Sequence, residues 1–215
     1  MIWRLMMKAK VAFLGAGSHA DAIRPLLDSN NYDFIGYFDD KDIKEHDGSP
    51  ILGKMYDVLD YLRDSRINKV FVTIGDNDKR KELFDYVYQE FPQAFFNIVS
   101  PDAQILTPES IVGVGNFIGH GAFVGSKARI ANNIVINTRA VVEHHSQIDS
   151  HCNIAPSVTI NGLCHLEEEV YVGSSATLIQ VLTIASKTMI GAGAVVVKSI
   201  LEPGTYVGVP AKKVK

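Results

Sequence analysis

The sequence predicts two successive folds in one chain: a small parallel α/β sheet over residues 1–100, then a parallel β-helix of six-residue repeats over residues 101–215. Three observations carry this. Every sixth residue from Val112 to Val196 is aliphatic, fifteen in a row with no break in phase. The fourth residue after each is mostly small, as at Ala122, Ala140, Ser146, Cys152, Cys164 and Ala194. Ahead of that run, strand-like and helix-like stretches alternate from Lys10 to Ser100.

A period of six is neither the 3.6 of a helix nor the 2 of a strand, so it marks a repeat architecture. Each hexad supplies one short side of a triangular coil. Its aliphatic residue points inward and stacks on the residue one coil above. Three sides give a coil of eighteen residues, so the run from Val112 predicts about five coils. Leu106 already falls in the same phase.

In chain order, KVAFLG (Lys10–Gly15) reads as a buried strand opening into GAGSHADAIRPLL, a glycine turn and helix. DFIGYFDD (Asp33–Asp40) follows as a strand ending in two carboxylates. MYDVLDYLRD reads as a helix, KVFVTIGDN as a strand, DKRKELFDYVYQEF as a helix and AFFNIVS as a last strand. Alternating strands and helices imply a parallel sheet with right-handed crossovers. Ligands of such sheets sit outside the carboxyl ends of the strands. Those ends carry Gly15, Gly17, Ser18 and His19, then Asp39 and Asp40, then Gly75, Asp76 and Asn77. The glycines allow close backbone approach, and the carboxylates can accept from ribose or a base N–H. Ala20 stands where a dinucleotide fingerprint has its third glycine, and the chain has room for one mononucleotide half. These features suggest a Rossmann-like nucleotide pocket rather than an NAD site; a purely structural turn is the alternative. Pro101 and Pro108 end the alternation near Ser100.

Hydrophobic residues make up 47% and charged residues 21%, with a net charge of -3, which leaves no basic footprint for nucleic acid. No apolar run approaches a membrane span, and MIWRLMMKAK lacks the apolar core and cleavage site of a secretion signal. The expected location is cytoplasmic. Cys152 and Cys164 fall on small inward positions, which suits buried thiols in a reducing compartment better than a disulfide.

A β-helix interior is dry, so chemistry must come from its outward corners. Glu143, His144 and His145 occupy one, directly after the inward Val142. Adjacent acid and imidazole are what proton transfer requires; a solvated corner is the plainer reading. The spacing of the histidines gives no metal triad. The tail GTYVGVPAKKVK ends in Lys212, Lys213 and Lys215, suited to the phosphates of an anionic cofactor. The flat solenoid flank invites closed cyclic packing about a threefold axis.

KVAFLGAGSHA, GYFDD, TIGDN, the unbroken hexads with VVEHH, and YVGVPAKKV together resemble the bacterial N-acetyltransferases of nucleotide-linked 4-amino sugars and the related sialic acid O-acetyltransferases. The resemblance implies left-handed coiling, a homotrimer, acetyl-CoA as donor without a metal, and a nucleotide-linked amino sugar held by the first domain. By position it implies His144 as general base, with Glu143 and His145 beside it. It also implies nucleotide-sugar contacts at Gly17, Ser18, His19, Asp39, Asp40 and Gly75, and cofactor contacts at Asn153, Ser174 and Ala192. Two positions depart from the pattern: His145 stands where members carry an acid, and Asn153 where many carry histidine. The expected reaction is acetylation of the 4-amino group of a UDP- or dTDP-linked deoxy sugar for bacterial surface glycans. O-acetylation of sialic acid is one alternative, and a non-catalytic nucleotide-sugar-binding scaffold another.

Overall fold

The computed structural model describes residues 8–215, so most of the basic opening MIWRLMMKAK lies outside the described residues. The chain divides into two compact units between Phe96 and Asn97.

In the first unit, β1 (Ala9–Leu14) leads through Gly15–Gly17 into α1 (Ser18–Ile23). After β2 (Tyr32–Phe38) come β3 (Glu45–His46), β4 (Ser49–Gly53), α2 (Val58–Arg63), β5 (Lys69–Val72) and α3 (Asn77–Tyr88). The sheet order is β3-β4-β2-β1-β5, parallel except where β3 pairs antiparallel with β4. That hairpin was not read from the sequence. Asp47 and Gly48 both have positive φ (48° and 67°), the demand of a two-residue turn for which Asp-Gly is suited. Phe13, Tyr37, Phe38 and Phe71 fill the core. The expected last strand AFFNIVS does not form as one piece. Phe95 makes a single bridge to Val70, whereas Ile98–Val99 pairs with Phe117–Ile118 in the second unit.

The second unit is a left-handed parallel β-helix, its two-residue strands stacked into sheets of eight, six and four. From Ile118 to Val196 the sequence period holds. Each sixth residue is buried, and so are the small residues four places on. Ser146, Cys152 and Cys164 donate inward to the carbonyls of Asn161, Glu167 and Ile179, so the small polar positions cost little when buried.

The first coil departs from the predicted phase. Ile105 pairs with Val124, nineteen residues on, whereas Val124 pairs with Val142, eighteen on. Ile111 likewise bridges to Ile130. One extra residue therefore lies between Ile111 and Ile118. The inward residues of this coil are Ile105 and Ile111, and Leu106 and Val112 are 59% and 52% exposed. At the other end, Thr205–Val207 pairs with Met189–Ile190 and with Lys212–Lys213, closing the last coil.

The corners follow one rule. Every sixth residue from Lys127 to Lys187, His145 among them, has φ near +60°. Its N–H donates to a corner carbonyl of the coil before, as His145 to Ser126 (3.0 Å) and Leu163 to His144 (3.0 Å). A left-handed non-glycine residue costs about 1–2 kcal/mol, which these bonds and the stacked aliphatic core offset. The register predicts that Ile118→Ala destabilises by about 2–5 kcal/mol and Val112→Ala by less than about 0.5 kcal/mol. Equal losses in urea unfolding would contradict the nineteen-residue first coil.

Candidate active site

His144 stands on the corner after Val141–Val142, with Glu143 half-buried and His145 exposed beside it. The corner is packed closely from both neighbouring coils. A side chain at Gly125, one coil before, would have its Cβ 2.6 Å from the His144 backbone nitrogen. At Gly162, one coil after, it would lie 2.6 Å from His144 Cε1 and 2.7 Å from Nε2. The imidazole therefore rests on a bare glycine backbone, and no other residue fits at 162 without displacing it.

Around this ring lies an open groove of about 500 Å³ lined by Glu143, His144, Asn161, Gly162, Leu163 and Gln180. Asn161 is held by donation to the carbonyl of Leu178 (2.9 Å). Leu163 and Val181 are 53% and 64% exposed, unusual for aliphatic residues in left-handed turns. Sequence reading did not single out Gly162 or Gln180. They sit eighteen and thirty-six residues after His144, so counting whole coils would have found them.

The chemistry of the corner is imidazole against imidazole. His144 Nδ1 lies 3.1 Å from His145 Nδ1, with ring planes at 85°. The Glu143 carboxylate accepts the His144 backbone N–H (3.2 Å) instead of meeting the ring. Other histidines do pair with carboxylates: His46 with Asp21 (2.6 Å), His120 with Asp102 (3.0 Å) and His165 with Asp149 (2.8 Å).

In the first unit, the glycine turn and strand ends predicted from sequence do converge. Gly15 has φ +113°, and a Cβ there would meet Ile74 Cδ1 at 2.6 Å, so only glycine fits. Gly75 faces open space, and a Cβ at Gly17 would meet only Lys41 Nζ, at 3.9 Å. Asp39 is buried and accepts from the N–H groups of Ala16 (2.7 Å) and Lys41 (2.8 Å), bracing the turn against the end of β2. Asp40 is exposed, and Asp76 caps α3 through the Lys79 N–H (2.9 Å). His19 is pushed down from 6.5 to about 4, first by burial and then by the Arg80 guanidinium. Arg80 is a buried cation of α3 that the sequence alone did not single out.

The remaining predicted positions lie elsewhere. Ser174 and Ala192 are exposed and stacked one coil apart on a different corner. Asn153 begins a strand of another sheet and is 8% exposed, so within one chain it does not join His144. Lys213 of the tail is 3.4 Å from Glu202. Both cysteines are buried and neither is in a disulfide, and burial pushes the Cys164 thiol up. Among the described residues no group of three or more His, Cys, Asp and Glu is placed to hold a metal ion, and no helix is long and apolar enough to cross a membrane.

Residues 10–87 match the PglD N-terminal domain family. The acetyltransferase domain of PglB from Neisseria gonorrhoeae, solved with acetyl coenzyme A, is 27% identical over 97% of this chain and 100% of that one, with a TM-score of 0.85. Over nearly its whole length the chain is similar to sugar acetyltransferases of known structure. A variant of perosamine N-acetyltransferase from Caulobacter crescentus, in complex with CoA and GDP-perosamine, is also similar to this chain. It is 27% identical over 96% of this chain and 97% of that one, with a TM-score of 0.88. WeeI from Acinetobacter baumannii, at 22% identity over 95% and 99% of the two chains and a TM-score of 0.79, shares the fold. No curated protein sequence matches the chain.

His19 gives the first unit a pH signature. Its value is about 6.5 when unfolded and about 4 when folded, so between these the unfolded state binds the proton first. The stability contributed by neutral His19 is full above pH 6.5 and is lost as the pH falls towards 4. In His19→Gln, urea unfolding should recover on the order of 2 kcal/mol of that acid loss. An unchanged profile would mean that the ring titrates normally.

Proposed function

We propose that this enzyme transfers acetyl from acetyl-CoA to the 4-amino group of a nucleotide-linked deoxy sugar for bacterial surface glycan synthesis. The observation that carries the reading is His144, an exposed imidazole seated on Gly162 at the centre of a groove. The first unit holds the nucleotide at its strand ends, through the Gly17–His19 turn, Gly75 and the carboxylates of Asp39 and Asp40. Asp39 acts mainly by fixing the turn, since backbone N–H groups already engage both its oxygens. The nucleotide is UDP or dTDP, whose bases carry an N–H donor for a carboxylate. GDP is the nucleotide in the Caulobacter complex.

Acetyl-CoA lies along the β-helix at Ser174 and Ala192, whose small exposed side chains leave the corner backbone open to it; Asn153 contributes from its own sheet. Catalysis follows from the amine. It attacks the thioester carbonyl only when it carries a lone pair, and it must lose a proton as the C–N bond forms. His144 Nε2 takes that proton, the C–S bond breaks, and the departing thiolate recovers the proton from the imidazolium. Such a base contributes about 10²–10⁴-fold. A backbone N–H, or Asn153 supplied by a second chain of the trimer, stabilises the tetrahedral oxyanion, worth about 10²–10³-fold. Both cysteines point into the core, so the acetyl group passes directly between substrates.

Mass spectrometry of reactions with acetyl-CoA and UDP-, dTDP- or GDP-linked 4-amino sugars should show addition of one acetyl group to nitrogen of the UDP- or dTDP-linked sugar. His144→Ala should lower kcat about 10²–10⁴-fold, and Gly162→Ala should fall in the same direction by displacing the ring. Acetylation of a sialic acid hydroxyl instead, or near-normal turnover in His144→Ala, would sink the reading.

The reading includes a homotrimer, in which a second chain covers the exposed Leu163 and Val181 beside the groove. Sedimentation equilibrium should return three times the 23.6 kDa chain mass; a monomer at assay concentration would remove this part.

A further inference from the structure

We infer that His145 is the positioning partner of His144: its neutral Nδ1 accepts the Nδ1–H of His144 and leaves the His144 Nε2 lone pair free for the substrate amine. The inference rests on the reading of His144 as general base and adds what makes that base competent.

Two ring nitrogens 3.1 Å apart form a hydrogen bond only if one carries hydrogen and the other a lone pair. A histidine that takes a proton at Nε2 must begin with that nitrogen bare, so its hydrogen sits on Nδ1. His144 is then the donor and His145 the acceptor, with the His145 hydrogen on Nε2. In other histidines of this chain a carboxylate takes the accepting role, as Asp149 does for His165. At this corner none does, because Glu143 faces a backbone N–H. The coil before presents Lys127 at the same turn position, and the coil after presents Asn161, Gly162 and Leu163, none of them titratable. The imidazole of His145 is thus the group at His144 Nδ1.

The backbone holds this pair in place. His145 is a left-handed corner residue (φ 59°) tied by its N–H to Ser126, and His144 is tied by its carbonyl to Leu163. Gly162 closes off the ring face from the next coil. In each turnover the proton moves from the amine to His144 Nε2 and then to the leaving thiolate, while the Nδ1–H stays in its bond to His145. A neutral acceptor fixes the tautomer without adding the negative charge that a carboxylate would bring to the imidazolium.

The test is long-range ¹H–¹⁵N correlation of the imidazole nitrogens in the full chain, in alkaline buffer, joined to steady-state kinetics. His144 should carry its hydrogen on Nδ1 and His145 on Nε2. His145→Gly, which suits the left-handed corner, should move the His144 hydrogen to Nε2 and lower kcat about 10- to 100-fold with both KM values unchanged. His145→Asn, whose side-chain oxygen can stand in for Nδ1, should restore the tautomer and most of kcat. Hydrogen on His144 Nε2 in the unaltered protein, or kcat within twofold in His145→Gly, would overturn the inference. Turnover retained in His144→Ala would instead remove the base assignment, and the tautomer spectrum would still report on the pair.

Discussion

The β-helix depends on a backbone constraint repeated at every corner. After each inward aliphatic residue the chain must turn within two residues, and it does so by placing the third residue in the left-handed region. The N–H of that residue donates to the coil before. This bond fixes one coil on the next, keeps the eighteen-residue stack in register and lets the aliphatic core close. It also decides where chemistry can occur. The residue just before the left-handed position, 144 in this hexad, is thrust outward on a backbone that cannot slide. The positions eighteen and thirty-six residues later, Gly162 and Gln180, become the walls of its groove.

That constraint explains why a rigid scaffold can hold a reactive imidazole at the surface. Gly125 and Gly162 bring adjacent coils against His144 so closely that a methyl group would not fit. Gly162 and His145 orient the ring, whereas Gly125 packs against the backbone that carries it. The first unit relies on a different device for the same end. Gly15 takes a conformation that side chains rarely adopt, and the buried Asp39 pins the turn through two backbone N–H groups. In both units glycine provides the close approach, and a hydrogen-bonded polar group fixes the geometry.

The aliphatic period showed in the sequence because burial in a β-helix is strict. A residue that must stack every eighteen positions leaves a mark that local propensity cannot imitate. The same logic misplaced Val112 and Leu106, because the single extra residue between Ile111 and Ile118 keeps aliphatic residues on both phases and hides the slip. The β3–β4 hairpin escaped because its strands are short, although Asp47-Gly48 was a fair turn signal. At the site, Glu143, His144 and His145 stood out by residue type. Gly162 did not, since its role lies in the side chain it lacks. Glu143 was read as the acid beside the base, and it faces the backbone instead. Sequence gives adjacency along the chain, whereas the direction of a side chain at a corner is set by the turn.

The central claim is that the His144 imidazole receives the proton of the acetylated amine. The most direct measurement is a crystal structure of the enzyme with CoA and its nucleotide-linked amino sugar. The account predicts the sugar amine within hydrogen-bond reach of His144 Nε2, about 2.6–3.2 Å or one water away. An amine seated against another titratable group, with His144 Nε2 beyond reach of even a bridging water, would contradict it.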